Sequence, residues 1–313
     1  MSAPLTPRLF FLLVLPPLMW AGNAVVGRLM VGSISPLWFN LLRWLFAFAI
    51  LLPLGWAAFA TPAARAAIAA RWPYLAVLGL LGLGTYNALQ YIALHTSTAL
   101  NVTLIASSLP VWTLLVGALV YRVQPTRRQL AGAVLSLLGV ATVLGRGDPA
   151  TLLRIQLVQG DLLMVAAILG WASYSWMLVR PPAHMQGEAR PPWNWAEFLA
   201  VQCAFGMGWN IASTLAFDTL LPSATPLAFS WPVAAAVLFV AIGPSVLAYR
   251  AWGLAVAEAG PATAAVFYNL TPLLTAVLSA AMIGEGPQAY HGLAFLLIVG
   301  GILVASRGGT PAR

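Results

Sequence analysis

Long apolar runs separated by short polar connections recur along the whole chain. A helix that crosses a bilayer needs about 20 mostly apolar residues. Ten segments meet that length: 9–30, 35–59, 72–94, 97–120, 128–146, 160–180, 194–217, 231–254, 261–283 and 289–306. The connections are short except for 60–71, 147–159 and 181–193, the last containing "PPAHMQGEARPP", the clearest polar loop. The pattern predicts an all-α integral membrane protein of ten transmembrane helices. The first segment also has the outline of a signal peptide, with one basic residue, a short apolar core and small residues after it. The repeat described next needs it as a helix.

"SSLPVWTLLVGALVYRVQP" (107–125) and "YNLTPLLTAVLSAAMIGEGP" (268–287) carry matching prolines, Pro110 and Pro125, then Pro272 and Pro287. In the same alignment Trp20-Ala21 corresponds to Trp171-Ala172, Arg28 to Arg180, and Arg146-Gly147 to Arg307-Gly308. The chain divides into halves 8–147 and 156–308 with a short tail, 309–313. Five spans is an odd number, so the second half enters the membrane from the opposite side. Such an inverted repeat is characteristic of transporters with a site near the bilayer midplane. A proline within a helix leaves the carbonyl four residues earlier without its donor, which hydrocarbon tolerates only beside protein or a wet cavity. Pro110 and Pro272 are therefore expected to kink spans 4 and 9 at equivalent depths and to act as hinges, although incidental proline kinks are common in membrane helices. The glycine-rich stretches "LLGLG" in span 3 and "AIGP" in span 8 permit close packing.

Composition agrees with the pattern. Apolar residues make up 61% of the chain and charged ones 7%, far from the roughly 25% charged residues of a soluble domain. The fifteen basic residues are all arginine, set against seven acids. They lie singly or in pairs between apolar runs, which excludes a nucleic-acid-binding surface and makes them topology signals. Ten lie on the side of the N-terminus (Arg8, Arg65, Arg71, Arg122, Arg127, Arg128, Arg180, Arg190, Arg307 and Arg313) and three opposite (Arg28, Arg146 and Arg154). The positive-inside rule then puts both termini in the cytoplasm. Cys203 is alone, and His95, His184 and His291 fall in separate loops, so no metal or cofactor is expected.

Polar and amphipathic residues inside spans are costly unless they face a bundle interior or cavity. Helical spacing groups Trp20, Asn23 and Gly27 in span 1; Tyr86, Gln90 and Tyr91 in span 3; and Asn101, Ser108 and Trp112 in span 4. Span 6 offers Trp171, Tyr174, Ser175 and Leu178, span 8 Ser245 and Tyr249, and span 9 Tyr268, Asn269 and Thr271. The bland alternatives are interhelical glue, worth about 0.6 kcal/mol per bond, and aromatic residues at the membrane interface. Trp171 and Tyr174 lie more than one turn inside their span, which argues against the interface for them. Arg43 and Arg250 are expected to snorkel towards opposite interfaces.

"WAGNAVVGR", "SPLWFNLLRW", "GDLLMVAAILGWASYSWMLVR" and "TPLLTAVLSAAMIGE" followed by "GLAFLLIVGGILV" resemble the EamA-type branch of the drug/metabolite transporter superfamily. The resemblance runs from about residue 9 to 306. It implies ten helices in two inverted five-helix repeats and export of small metabolites across the bacterial inner membrane. An aromatic amino-acid exporter fits the general shape, with no motif that singles it out. One departure stands out. The family commonly has Gly-Glu after both span 4 and span 9; Gly284-Glu285 keeps it, whereas the first half has Arg122-Val123.

Rings, amides and hydroxyls suit an amphipathic cargo, most simply a neutral or aromatic amino acid. An amine would lie against ring faces for about 0.5–2 kcal/mol, and a carboxylate would be received by amide or hydroxyl donors. The alternative is proton-coupled export of drug-like cations, with Glu197 in span 7 as the acid. No catalytic motif is present, so an enzyme is not expected, and a channel would show polar rings along its spans. The partners expected are a small-molecule substrate and the lipid bilayer, with a monomer sufficient for function.

Overall fold

The computed structural model describes residues 5–30, 32–93, 96–97, 99–154, 157–220, 230–283 and 288–306. Every regular element among them is helical. Thr6 caps α1 (Pro7–Leu29) by accepting from the Leu9 amide, and α2 (Pro36–Gly55) starts on a proline whose missing N–H costs nothing there. A short α3 (Ala57–Ala60) and an exposed α4 (Pro62–Ala69) occupy the connection 60–71, which is therefore mostly helix rather than open loop. Then come α5 (Trp72–Gly79), a π-helical turn Leu80–Gly84, and α6 (Thr85–Ala93). The segment that carries Pro110 forms α7 (Ala99–Ser107) and α8 (Leu109–Leu119), and a Thr126–Gln129 capping box starts α9 (Arg127–Leu144).

The second half has the same order. After α10 (Pro149–Leu153), a small helix inside the connection 147–159, come α11 (Gln159–Val179) and α12 (Trp195–Leu220). The loop between them folds into two 3₁₀ turns and is tied down by Arg71, which donates to the carbonyls of His184 and Ala189 at 3.1 and 2.6 Å. α13 (Trp231–Val240), a π-helical turn Ala241–Leu247 and α14 (Ala248–Ala259) follow, then α15 (Pro261–Tyr268), α16 (Leu270–Ile283) and α17 (Ala289–Ser306).

Seven of the helical stretches among the described residues are long and apolar enough to cross a membrane. An eighth counts if Pro62–Ala69 and Trp72–Gln90, bent by 73°, are one span. Of the remaining predicted segments, 97–120 is divided at Ser108 into two short helices, and α12 carries Gln202, Asn210 and Thr214 in buried positions. The outer surface is apolar: Phe10, Phe11, Leu119, Leu162 and Leu296 are all exposed. This is the arrangement of a multi-pass membrane protein, in which lipid rather than water covers the outside.

Breaks recur at matching places. π-helical turns begin at Leu80 and Ala241, and helices stop at Ser108 and Asn269, each pair 161 residues apart. α9 and α17 lie antiparallel and close. A methyl group at Gly132 would come 2.6 Å from the Gly301 carbonyl oxygen, and one at Gly139 would come 2.9 Å from that of Ala294. Gly132 and Gly139 stand 162 residues before Ala294 and Gly301, so the two contacts are one contact with the partners exchanged. α1 packs on α14 and α16 as α11 packs on α6 and α8, and α2 packs along α12.

Candidate functional site

The two π-helical turns shape the centre of the bundle. Pro244 has no N–H, so the Val240 carbonyl four residues back loses its helical donor. Ser245 supplies a replacement, its hydroxyl donating to the Val240 oxygen at 2.8 Å. The widened turn leaves the Pro244 carbonyl open to side chains, and Trp20 Nε1 donates to it at 3.1 Å. In the first half the Gly82 carbonyl, 162 residues earlier, accepts the Tyr249 hydroxyl at 2.6 Å. Glycine is required at that position, because a methyl there would lie 2.4 Å from the Tyr174 ring. Each turn thus receives a side chain from the opposite half of the chain.

Above these carbonyls the aromatic side chains form one cluster. Trp20 lies 5.4 Å from Trp171, 5.5 Å from Trp252, 5.7 Å from Tyr268 and 6.4 Å from Tyr249 between ring centroids. Trp171 also meets Tyr86 at 5.8 Å, Tyr174 at 5.1 Å and Tyr249 at 5.3 Å. Trp44 packs edge-on to Tyr249 at 5.0 Å. Many of these pairs are edge-to-face, the geometry that the ring quadrupole favours. The Tyr86 and Tyr268 hydroxyls join across the halves at 2.8 Å, and the Tyr174 hydroxyl donates to Gln202 at 3.1 Å. Ser175 donates to the Trp171 carbonyl and accepts from Trp252 Nε1 at 3.1 Å.

Not every polar group in the cluster is paired. Trp171 and Trp44 are 3% and 0% exposed, and the indole N–H of each has no acceptor among the described residues. An unmet buried donor costs about 1–3 kcal/mol. The Trp171 case breaks the match between the halves. Trp20 holds the Pro244 carbonyl, whereas the corresponding Gly82 carbonyl is taken by Tyr249 and Trp171 is left without it.

Arg43 lies at the edge of the same cluster. It is 2% exposed, so it does not snorkel. Its Nε donates to the Ser245 hydroxyl at 2.5 Å, and its two terminal nitrogens reach Asn23 Oδ1 at 3.4 Å and the Pro244 carbonyl at 3.3 Å. The guanidinium also lies 5.3 Å from the Trp44 ring centre. The hydroxyl that repairs the proline break is what draws this arginine inward. Arg250, in contrast, is exposed and stacks over Trp195 at 4.2 Å.

The sequence-based candidates divide into groups. Trp20, Tyr86, Trp171, Tyr174, Ser175, Tyr249 and Tyr268 come together in or against the cluster, with Asn23 beside Arg43. Gln90 is half-buried one turn beyond Tyr86. Ser108 and Trp112 bond to each other at 2.9 Å, beside the α7–α8 break. Asn269 donates to Ser136 of α9 at 2.9 Å and fixes the corresponding α15–α16 break. The side chain of Asn101 lies outside the described residues, as do Tyr91, Gly284-Glu285, His95 and Arg307-Gly308. Trp44 and Trp252 were missed, yet each follows a marked residue: Arg43 by one position and Tyr249 by three.

The acids have structural occupations. Glu197 accepts from the Asn194 backbone and side-chain nitrogens at 3.0 and 2.9 Å, closing a cap in the first turn of α12. Asp161 caps α11 through the Val158 amide at 2.8 Å and also receives Ser97. Glu258 pairs with Arg8 at 2.9 Å.

Residues 8–145 match the EamA-like transporter family. An uncharacterized transporter of Archaeoglobus fulgidus is 26% identical over 295 residues, covering 94% of this chain and 96% of the relative. The uncharacterized transporter YyaM of Bacillus subtilis is 25% identical, covering 74% and 72% of the two chains. A solved crystal structure has the same fold, with a TM-score of 0.73 at 23% identity over 95% of this chain and 96% of that one.

Proposed function

We propose that this chain, whose residues 8–145 match the EamA-like transporter family, is a secondary carrier that exports small amphipathic metabolites, neutral and aromatic amino acids among them. The observation that carries the reading is the ring cluster built from both halves: Trp20, Trp44 and Tyr86 from one, Trp171, Tyr174, Tyr249, Trp252 and Tyr268 from the other. Such a cluster offers apolar faces for a side group and ring faces for an amine.

The matching breaks and the self-complementary α9–α17 contact support an inverted repeat of two five-span units, with ten spans in all. Alternating access then consists of each half adopting in turn the arrangement of the other. The unequal pairing of Trp20 and Trp171 favours this reading. In the opposite state Trp171 would take the Gly82 carbonyl and Trp20 would release that of Pro244. Pro110 and Pro272, beside the breaks at Ser108 and Asn269, are the bending points. The arginine distribution supports cytoplasmic termini in a bacterial inner membrane, and one chain holding both halves supports a functional monomer.

The capping role of Glu197 favours facilitated export or exchange over obligatory proton antiport. Counterflow in proteoliposomes preloaded with Phe, Trp, Thr and Met, with and without a pH gradient, tests this. Saturable exchange of aromatic amino acids without the gradient is expected, slowed in Pro110→Ala and Pro272→Ala proteins that remain folded. Exchange that appears only with the gradient would overturn the facilitated reading, and silence with every amino acid would overturn the cargo.

A further inference from the structure

We infer that a groove beside α12, on the outer surface of the bundle, holds one acyl chain of an anionic phospholipid, with the phosphate received by Arg65. The groove measures about 300 Å³ and is lined by Phe59, Arg65 and Ile68 from α3 and α4 and by Val201, Ala204 and Phe205 from α12. The α12 residues stand at i, i+3 and i+4, on one face of the helix, and form an apolar wall. α4 on the other side does not run with the spans. It is bent by 73° from the helix that follows, the attitude of a helix lying along a membrane surface. The site is separate from the ring cluster and does not depend on the cargo.

Depth and charge identify the occupant. Trp56 at the end of α2, Trp72 at the start of α5 and Trp195 at the start of α12 are all exposed. Tryptophan at the ends of spans marks the headgroup level, so the groove opens at that level. Phe205, at its deep end, lies about 15 Å along the helix from Trp195 by helical rise, within the reach of an acyl chain. Arg65 is the one charged residue lining the groove. Its Nη1 donates to the Phe59 and Ala60 carbonyls at 2.9 and 3.5 Å, which folds the side chain back over the α3–α4 corner. Its Nε and Nη2, on the other edge of the guanidinium, have no partner among the described residues. Two such N–H groups match two oxygens of one phosphate. Both carboxylate oxygens of Glu197, one turn before Val201, accept from Asn194 rather than from Arg65. A zwitterionic headgroup carries its own cation beside the phosphate, so the arginine favours a lipid of net negative charge.

The test is the melting midpoint of the purified full chain in detergent, with phosphatidylglycerol or phosphatidylcholine of identical acyl chains added. A ligand of the folded state raises the midpoint the more tightly it binds. Phosphatidylglycerol is expected to raise it by about 2–4 °C more than phosphatidylcholine does. Arg65→Gln should abolish that difference. Ala204→Phe, which fills the groove, should remove the response to phosphatidylglycerol. Arg127→Gln, at the exposed start of α9, should leave it unchanged. Equal shifts from the two lipids in the wild type would overturn the inference before any variant is made. A full phosphatidylglycerol response in Arg65→Gln or in Ala204→Phe would also overturn it. So would an equal loss in Arg127→Gln and Arg65→Gln, which would reduce the effect to diffuse surface charge. Glycerol phosphate, a headgroup without chains, should give no shift; a shift as large as that of the lipid would replace the lipid with a free phosphate. If Arg65→Gln does not fold, the wild-type comparison and Ala204→Phe still decide.

Discussion

At the end of α8, Arg122 has a φ of 56°, and at the end of α9 Arg146 has a φ of 53°. Both lie in the left-handed region that glycine adopts freely. The conformation closes the helix ends: the Val123 amide returns to the Gly117 carbonyl at 2.8 Å, and that of Gly147 to Thr142 at 3.0 Å. Arg122 stands where the family that the sequence resembles commonly has glycine, and it takes a strained conformation that glycine adopts freely. Arg122→Gly should stabilise the protein by about 0.5–1 kcal/mol, the left-handed penalty less the added freedom of unfolded glycine. A higher melting midpoint in detergent is expected; a lower one would mean the arginine side chain matters more than the turn. Single residues were unevenly legible. Trp171 and Tyr174 announced themselves as ring-bearing positions deep in an apolar run. Arg43 was misjudged because its length permits snorkelling, and only the Pro244 break, repaired by a hydroxyl from the next residue, explains why it stays inside.

Among elements, the stretches read only as glycine-rich packing, "LLGLG" and "AIGP", prove to be π-helical turns. Nothing in local propensity distinguishes such a turn from an ordinary helix with glycine or proline in it; the ladder shift depends on what donates to the freed carbonyls, and Tyr249 and Trp20 come from far along the chain. The proline-marked breaks were legible because a missing N–H is written in the residue itself. The α9–α17 contact offers a controlled test of close packing. A methyl at Gly301 would lie 2.7 Å from the Gly132 carbonyl oxygen and 2.8 Å from the Ser136 amide nitrogen, whereas one at Gly300 meets nothing within 4 Å among the described residues. Gly301→Ala should cost about 1–3 kcal/mol through forced separation of the helices, and Gly300→Ala should be neutral or slightly stabilising. Equal melting midpoints for the two variants would mean that α9 and α17 are not so closely packed.

For the whole molecule, hydrophobic run length located the long apolar helices to within a few residues, since a bilayer core sets the length of a span, but not α4 or α10, which lie in stretches read as connections. It did not show how the halves meet. The cluster is made by rings more than 200 positions apart, such as Trp20 and Tyr249, and periodicity within one helix cannot reveal partners on another. The central claim is that these rings form the cargo site of a carrier. Its most direct measurement is counterflow of labelled phenylalanine by purified protein, wild type and Trp171→Ala side by side in proteoliposomes. The account predicts saturable, trans-accelerated exchange in the wild type and a loss of about tenfold or more in the variant, given the stacking and hydrogen-bond capacity removed. Undiminished exchange by folded Trp171→Ala protein would contradict it and move the cargo site elsewhere.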